Sequence, residues 1–284
     1  MDGIYLVDKP IGISSYDIIR KFKKALNIKK IGHSGTLDPF ASGLLIVLVG
    51  KATKLSNIFL NDDKEYTGTI YFGTSTDTYD KTGAVVEHKN DFTLTDELII
   101  NAFNDFQGKI MQKPPIYSAV KFKGLKLYEY ARKQENIEVK KREVFIKEFM
   151  PTSKLKENKI TFTAKVSKGT YLRSLAYDVG EKLNIPSHLY SLRRIKSGMF
   201  SLGDAYSITD ITNKIKPTLT IQDYAKTLPK VVVKPYLEKH ITNGILLDER
   251  QTTIKDYISI YNIKDELLAI YMPADNKYKP LILI

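Results

Sequence analysis

GHSGTLDPFASG, residues 32–43, is the stretch on which the reading of this chain turns. A carboxylate, Asp38, precedes a proline and sits among Gly32, Gly35 and Gly43. Asp followed by Pro is a strong helix start, with Asp at the N-cap and Pro at the first helical position. The same residues suit a reactive group. The glycines leave the backbone open to a closely approaching ligand. Pro39 biases Asp38 away from helical geometry and presents its carboxylate on extended chain. On spacing alone the two readings stand level. Directly downstream, LLIVLV at 44–49 reads as a buried strand and is far too short to span a bilayer.

The chain has 284 residues, 43% hydrophobic and 27% charged, the profile of a soluble globular protein with one large domain or a large one plus a small one. Lys and Arg total 44 against 32 Asp and Glu, a net charge of +12. That surplus favours a polyanionic partner, nucleic acid first; a lysine-rich surface kept for solubility is the plain alternative. There is no cysteine, which removes disulfides, thiolate metal sites and thiol nucleophiles and fits a reducing cytoplasm. The N-terminus carries acid early and no apolar core, so no export signal is expected.

Working outward, residues 3–7 read as a strand. Ser14 or Ser15 caps a helix whose Ile18, Ile19, Phe22 and Leu26 form an apolar face, with Lys21, Lys24, Lys29 and Lys30 as a basic patch. Residues 66–72 alternate as a strand, and 84–88 return after a turn-rich loop. Thr95 caps a helix turning Leu98, Ile99, Ala102, Phe103 and Phe106 inward. Strands near 144–149 and 159–166 precede a helix from about Arg173 to Leu183. Residues 203–228 look connective, and from Pro229 the pattern is β-rich, with strands at VVV, YISIYNI and LLAIYM.

Several chemistries are absent. Gly43 to Lys51 is spaced wrongly for a phosphate loop, and Ala52 stands where Ser or Thr is required. The four histidines lack metal-ligand spacing. Asp77 and Asp80 read as turn formers. Ser118-x-x-Lys121 and Lys81-Thr82-Gly83 echo Ser–Lys hydrolases, but in the reverse order.

GHSGTLDPFASGLL resembles the catalytic motif of the TruB-type tRNA pseudouridine synthases. LVDKPIGISSYDII, KEYTGTIYFGTSTDTYDKTG, KPPIYSAVKFKGLKLYEYAR and SKGTYLRSLAYDVG with SHLYSLRRIKSGMF are similar to further blocks of that family, in order from about residue 4 to 200. The resemblance implies an α+β fold: a catalytic domain with a central mixed, largely antiparallel sheet flanked by helices over residues 1–228, with 113–150 as an RNA-contacting insertion. A small β-rich PUA-like RNA-binding domain over 229–284 completes it.

The implied activity is isomerisation of uridine 55 in the tRNA T-arm to pseudouridine, through a flipped-out nucleotide. No cofactor or metal, no membrane and no obligatory protein partner is expected, and the enzyme is expected to be a cytoplasmic monomer. By the resemblance Asp38 is the nucleophile and Arg173 its ion-pair partner, reversing the effect of burial on the carboxylate. Tyr66 stacks on the uracil and is placed for proton transfer. Tyr171 and Leu192 line the pocket, His33 fills the space the base leaves, and Lys9 contacts a phosphate or the pocket wall, with a structural Lys-Pro at the strand end as the equal alternative. Taken singly, Tyr66 and Leu192 would be core, Arg173 an exposed helix-start arginine and His33 a loop histidine. The basic patch, residues 113–134 and Arg193–Arg194 are expected to track phosphates. A tRNA-binding or tRNA-folding module without catalysis shares the same charge pattern.

Overall fold

The computed structural model describes residues 2–133, 135 and 137–284; Gln134 and Asn136, within the expected insertion, and Met1 lie outside the described residues. Strand β1 (Gly3–Lys9) is followed by helix α1 (Ser15–Leu26). Ser14 is the cap, in a reciprocal box with Asp17, and Ile18, Ile19, Phe22 and Leu26 are buried as their spacing predicts. Strands β2 (Ile31–Ser34) and β3 (Ser42–Val49) then pair antiparallel. All eight residues of β3 are buried. Leu44, Ile46 and Leu48 pack into one core with Ile4 and Leu6, while Leu45, Val47 and Val49 pack into another with Tyr5, Val7 and α1. A strand covered on both faces needs an unbroken apolar run, which is why LLIVLV does not alternate.

A 3-10 turn and α2 (Ser56–Asn61) lead into β4 (Lys64–Phe72) and the small hairpin of β5 (Thr74–Thr76) and β6 (Val85–His88). Next come α3 (Asp96–Asp105) and β7 (Gly108–Gln112), then β8 (Lys121–Phe122), β9 (Leu125–Lys126) and α4 (Leu127–Arg132). After β10 (Arg142–Pro151) and β11 (Lys159–Val166), α5 (Leu172–Leu183) returns to β12 (Ser187–Ser197), β13 (Phe200–Ser201) and β14 (Leu219–Thr220). Ten strands form one sheet, β14-β1-β3-β12-β4-β11-β10-β7 with β2 on β3 and β13 on β12. Among the described residues the β3–β12 pairing is the one parallel pairing between strands of this sheet. Helices α3 and α5 cover one face of β4 and β11, where Ile99, Phe103, Leu175 and Val179 meet Ile70, Phe72, Ile160 and Phe162. Leu98, expected inward, is 47% exposed because it lies off that stripe.

The central strand β12 carries a register shift against β4 between Leu189 and Ser191. His188 faces Tyr71 and Ser191 faces Thr69, so both lie on the face away from α3 and α5, with Tyr190 as the extra residue between them. The shift reverses the facing of the residues that follow it, up to a second shift between Arg194 and Lys196. Leu192, opposite Gly68, and Arg194, opposite Tyr66, turn to the covered face.

The C-terminal part is a second, four-stranded sheet with a PUA-like appearance. After α6 (Ile221–Ala225) it comprises β15 (Lys230–Val232), β16 (Ile258–Tyr261), β17 (Leu267–Ala274) and β18 (Lys277–Leu283), with α7 (Pro235–Thr242) inserted. The sequence pattern missed β18, which Pro280 interrupts, and α7, hidden in a β-rich segment. Ile270 and Ile282 of this sheet join Ile4, Leu6 and Leu44 in one core. Among the described residues no helix is long and apolar enough to cross a membrane.

Candidate active site

The segment between β2 and β3 does not begin a helix, so the capping role for Asp38 is overturned. The Asp38 carbonyl accepts from the Ala41 amide at 3.1 Å, closing a turn with Pro39 at its second position, and β3 follows. The turn is held from several sides. The Ser15 hydroxyl donates to the Leu37 carbonyl at 3.0 Å and accepts from the Leu37 amide at 2.9 Å. The Gly12 amide donates to the Pro39 carbonyl at 2.8 Å. Leu37, Phe40 and Ala41 anchor it in the core, while the Asp38 side chain stays 39% exposed.

The glycines do something other than leave space for a ligand. Gly43 has a φ of 103°, and a Cβ there would lie 2.3 Å from the Arg194 carbonyl. Gly35, at φ 80°, faces the Arg194 guanidinium. Both let the turn close onto β12; Gly32 has nothing within 4 Å of its would-be Cβ.

Arg173 enters from the first turn of α5 with its side chain 6% exposed. Its Nε lies 3.0 Å from Asp38 Oδ2. Its Nη1 donates to the Thr78 carbonyl at 3.1 Å and lies 3.5 Å from Asp80 Oδ2, and its Nη2 donates to the Tyr117 carbonyl at 2.9 Å. Asp80 makes the turn bonds the sequence suggests, from the Thr78 hydroxyl and the Thr82 amide. Its ion pair with Arg173 carried no sequence signal. One guanidinium thus serves two carboxylates and two carbonyls. Burial holds the Asp38 carboxyl above its ordinary value; Arg173 pulls it down, Asp80 pushes it up and Lys9 pulls it down. The expectation that Arg173 reverses the effect of burial is therefore corrected: it offsets only part.

A cavity of about 320 Å3 opens beside Asp38. It brings together five of the expected residues: Asp38, Tyr66, Tyr171, Arg173 and Leu192. Tyr171 is fixed by Gln112, whose side-chain amide donates to its carbonyl at 3.1 Å and accepts from its amide at 2.8 Å. Burial raises the Tyr171 phenol, against the charge of Arg173, so it remains protonated near neutral pH.

Two expected residues are not among those lining the cavity. His33 sits on β2 opposite Val47, and burial, then Arg194, holds its imidazole below the ordinary value. Lys9 is fully buried, donating to the Pro10 carbonyl at 2.9 Å and the Ile13 carbonyl at 2.8 Å. Burial lowers it to about 8, against the opposing charge of Asp38. It reaches neither the surface nor the wall, because its ammonium is spent on the main chain.

Arg194 is likewise corrected. It does not track phosphates: it is 1% exposed, with Nε donating to the Leu44 carbonyl at 2.7 Å and Nη2 to the Gly35 carbonyl at 3.1 Å. It lines the cavity floor and ties together the two ends of the Asp38 segment. Arg193 pairs with Asp8 at 2.6 Å. The available signal was spacing: two residues beyond Leu192 on a strand is the same face. Lys64, also lining the cavity, caps α2 through the carbonyls of Phe59, Leu60 and Asp62, and burial lowers it to about 8. Among the described residues no cluster of three or more histidine or carboxylate side chains suits a metal ion. A wider depression of about 680 Å3 in the C-terminal sheet presents Asp248 and Arg250, already paired with each other, and no comparable buried set.

Comparison with known proteins gives the family. Residues 23–172 match the model of the TruB family pseudouridylate synthase N-terminal domain. The chain is 40% identical over 281 residues to tRNA pseudouridine synthase B of Acholeplasma laidlawii, covering 98% of both. It is 38% identical to tRNA pseudouridine synthase B of Bacillus subtilis, covering 98% of this chain and 94% of that one. Among solved structures it is similar to a chain of a Cbf5–Nop10–Gar1 complex, with a TM-score of 0.69 at 26% identity, covering 95% of this chain and 78% of that one. A chain of an H/ACA ribonucleoprotein bound to a substrate RNA containing 2'-deoxyuridine gives 0.68 at 25%, covering 96% of this chain and 79% of that one.

Proposed function

Because the chain belongs to the TruB family of pseudouridylate synthases, it is a pseudouridine synthase acting on tRNA, and we propose that its target is uridine 55 of the T-arm. The observation that carries the site assignment is the Asp38 carboxylate, open to the cavity and 3.0 Å from a buried guanidinium.

In the reaction the N1–C1′ bond breaks, the uracil turns over, and a C5–C1′ bond forms. C5 gives up a proton and N1 gains one, so no second substrate is consumed. Asp38 is the nucleophile in its ionised form. Arg173 holds the carboxylate toward the cavity, and Asp80, on the far side of the guanidinium, fixes that arginine. Tyr66 stacks on the uracil beside Leu192 and Tyr171, and is placed for proton transfer at C5. Reaching a stacked nucleotide requires extrusion, at a cost of about a few kcal/mol. His33, neutral and on the neighbouring strand, fills the emptied stack. Lys9 supports Asp38 from below as a buried positive charge.

Residues 1–228 are read as the catalytic domain and 229–284 as the RNA-binding domain. The 113–150 segment is read as an RNA-contacting insertion, supported by the basic hairpin of β8 and β9 and by the Tyr117 carbonyl on Arg173. The enzyme acts in the cytoplasm as a monomer with no obligatory protein partner. Incubation with an unmodified tRNA transcript and mapping of pseudouridine tests the reading. Modification at position 55, lost in Asp38→Asn with tRNA binding kept, supports it; an active Asp38→Asn removes the nucleophile. Binding without modification by the unaltered protein favours the folding-module alternative.

A further inference from the structure

Among the described residues no helix packs closely on the face of β12, β4 and β11 turned away from α3 and α5. The register shift in β12 places both Tyr190 and Ser191 there. Tyr190, 38% exposed, lies beside Tyr71 with ring centroids 6.4 Å apart, and Tyr71 packs on His188 at 5.4 Å. Two ammonium groups rest on these rings: Lys159 Nζ lies 4.6 Å from the Tyr190 centroid and 5.8 Å from that of Tyr71, and Lys81 Nζ lies 5.1 Å from Tyr190. A depression of about 590 Å3 continues from Tyr190 over Thr69, Thr161 and Ser191, with exposed Lys154 and Lys156 at its edge. Ser191 and Thr69 join hydroxyls at 2.8 Å. Lys81, Lys154, Lys156 and Lys159 stand against Glu157 alone of the carboxylates lining the depression, and among the described residues none of the four is in an ion pair.

We propose that this reverse face is a second nucleic-acid site, which holds a single-stranded RNA segment by stacking a base on Tyr190 and Tyr71. Cations parked on aromatic faces mark surfaces whose rings are not consumed by the core. A base displaces the ammonium groups, and these move to the flanking phosphates, so stacking and phosphate contact arise in one step. The hydroxyl strip of Thr69, Thr161 and Ser191 offers partners to ribose. The excess of positive charge selects a polyanion, and two adjacent rings select a base-bearing one over an acidic peptide. The site lies across the sheet from the Asp38 cavity, so the inference does not depend on the reaction proposed there.

The test uses the full chain and a short fluorescent oligouridylate. Tyr190→Ala is expected to weaken binding about tenfold and Tyr190→Phe to preserve it. Lys81→Ala with Lys159→Ala is expected to flatten the slope of log K against log salt by about 0.7 per lysine. With the unaltered protein, 4-thiouridine in the oligomer is expected to cross-link to Tyr71 or Tyr190 itself, assigned to the residue by fragmentation of the cross-linked peptide, which keeps the test independent of variant folding. The proposal is overturned if Tyr190→Ala binds within about twofold of the parent, if the cross-linked residues are only ones lining the Asp38 cavity, such as Tyr66 or Leu192, or if polyglutamate competes as well as oligouridylate.

Discussion

The Ser15 hydroxyl clamps a single residue, Leu37, donating to its carbonyl at 3.0 Å and accepting from its amide at 2.9 Å. The clamp is buried and immediately precedes Asp38, so the helix start on α1 sets the position of the carboxylate. Ser15→Ala leaves two buried main-chain groups without partners and is expected to cost about 1–3 kcal/mol of stability. It is also expected to lower kcat more than it raises KM. Denaturant unfolding and single-turnover kinetics check both; an unchanged kcat would detach the clamp from the chemistry.

Asp38 must be ionised to act, and its carboxyl is held above the ordinary value, first by burial and then by Asp80 against Arg173 and Lys9. Turnover is expected to rise with pH along a limb lying above the usual carboxylate value of about 4. The stability sign is the reverse. A raised folded value means that the Asp38 contribution is fully present below the unfolded value and lost as pH rises through the folded one. Asp38→Asn should remove that dependence from unfolding curves.

Arg173→Lys keeps the charge but cannot serve Asp38, Asp80 and two carbonyls with one planar fork. A rate loss on the order of 10²-fold is expected, with tRNA affinity little altered. Near-normal turnover would remove the positioning role.

Arg193→Ala and Arg194→Lys separate surface from interior. Arg194 makes no outward contact, so Arg194→Lys is expected to reduce kcat while leaving the salt slope of tRNA binding unchanged. A reduced slope would return Arg194 to the phosphate-contacting set.

Lys9 and Lys64 are lowered by burial to about 8. Between that value and the unfolded one near 10.4 the unfolded chain binds more protons, so stability is expected to rise with pH from about 8 toward 10. Tyr5 and Tyr177, raised to about 12, reverse the trend once unfolded phenols ionise near pH 10. Urea midpoints across that window, with Lys64→Met flattening the rise, are the measurement.

Legibility in the sequence followed how many jobs each residue has. Helices α1 and α5 and strand β3 were readable because each buried position does nothing but pack, leaving a clean period. Strand β12 was not, although it is central to the sheet: its register shift breaks the alternation, and Arg193 and Arg194 look like surface. Asp38 and Arg173 were recognisable by resemblance, but nothing local distinguished Asp80 as an ion-pair partner from Asp80 as a turn former, since it is both. Lys9 stood open between a phosphate or wall contact and a structural lysine, because a buried ammonium satisfied by carbonyls leaves no trace in composition.

The same strand β12 has a consequence at the level of the gene. One residue, Tyr190, stands outside the pairing that faces Leu192 and Arg194 into the cavity. An in-frame loss of that single codon would restore plain alternation while leaving Leu192 opposite Gly68 and Arg194 opposite Tyr66, so the cavity floor would keep both residues. Missense change at Tyr190 keeps the same facing, so at this position the cavity is insensitive to the chain's length and to the side chain alike, and the residue is open to selection by the reverse face alone.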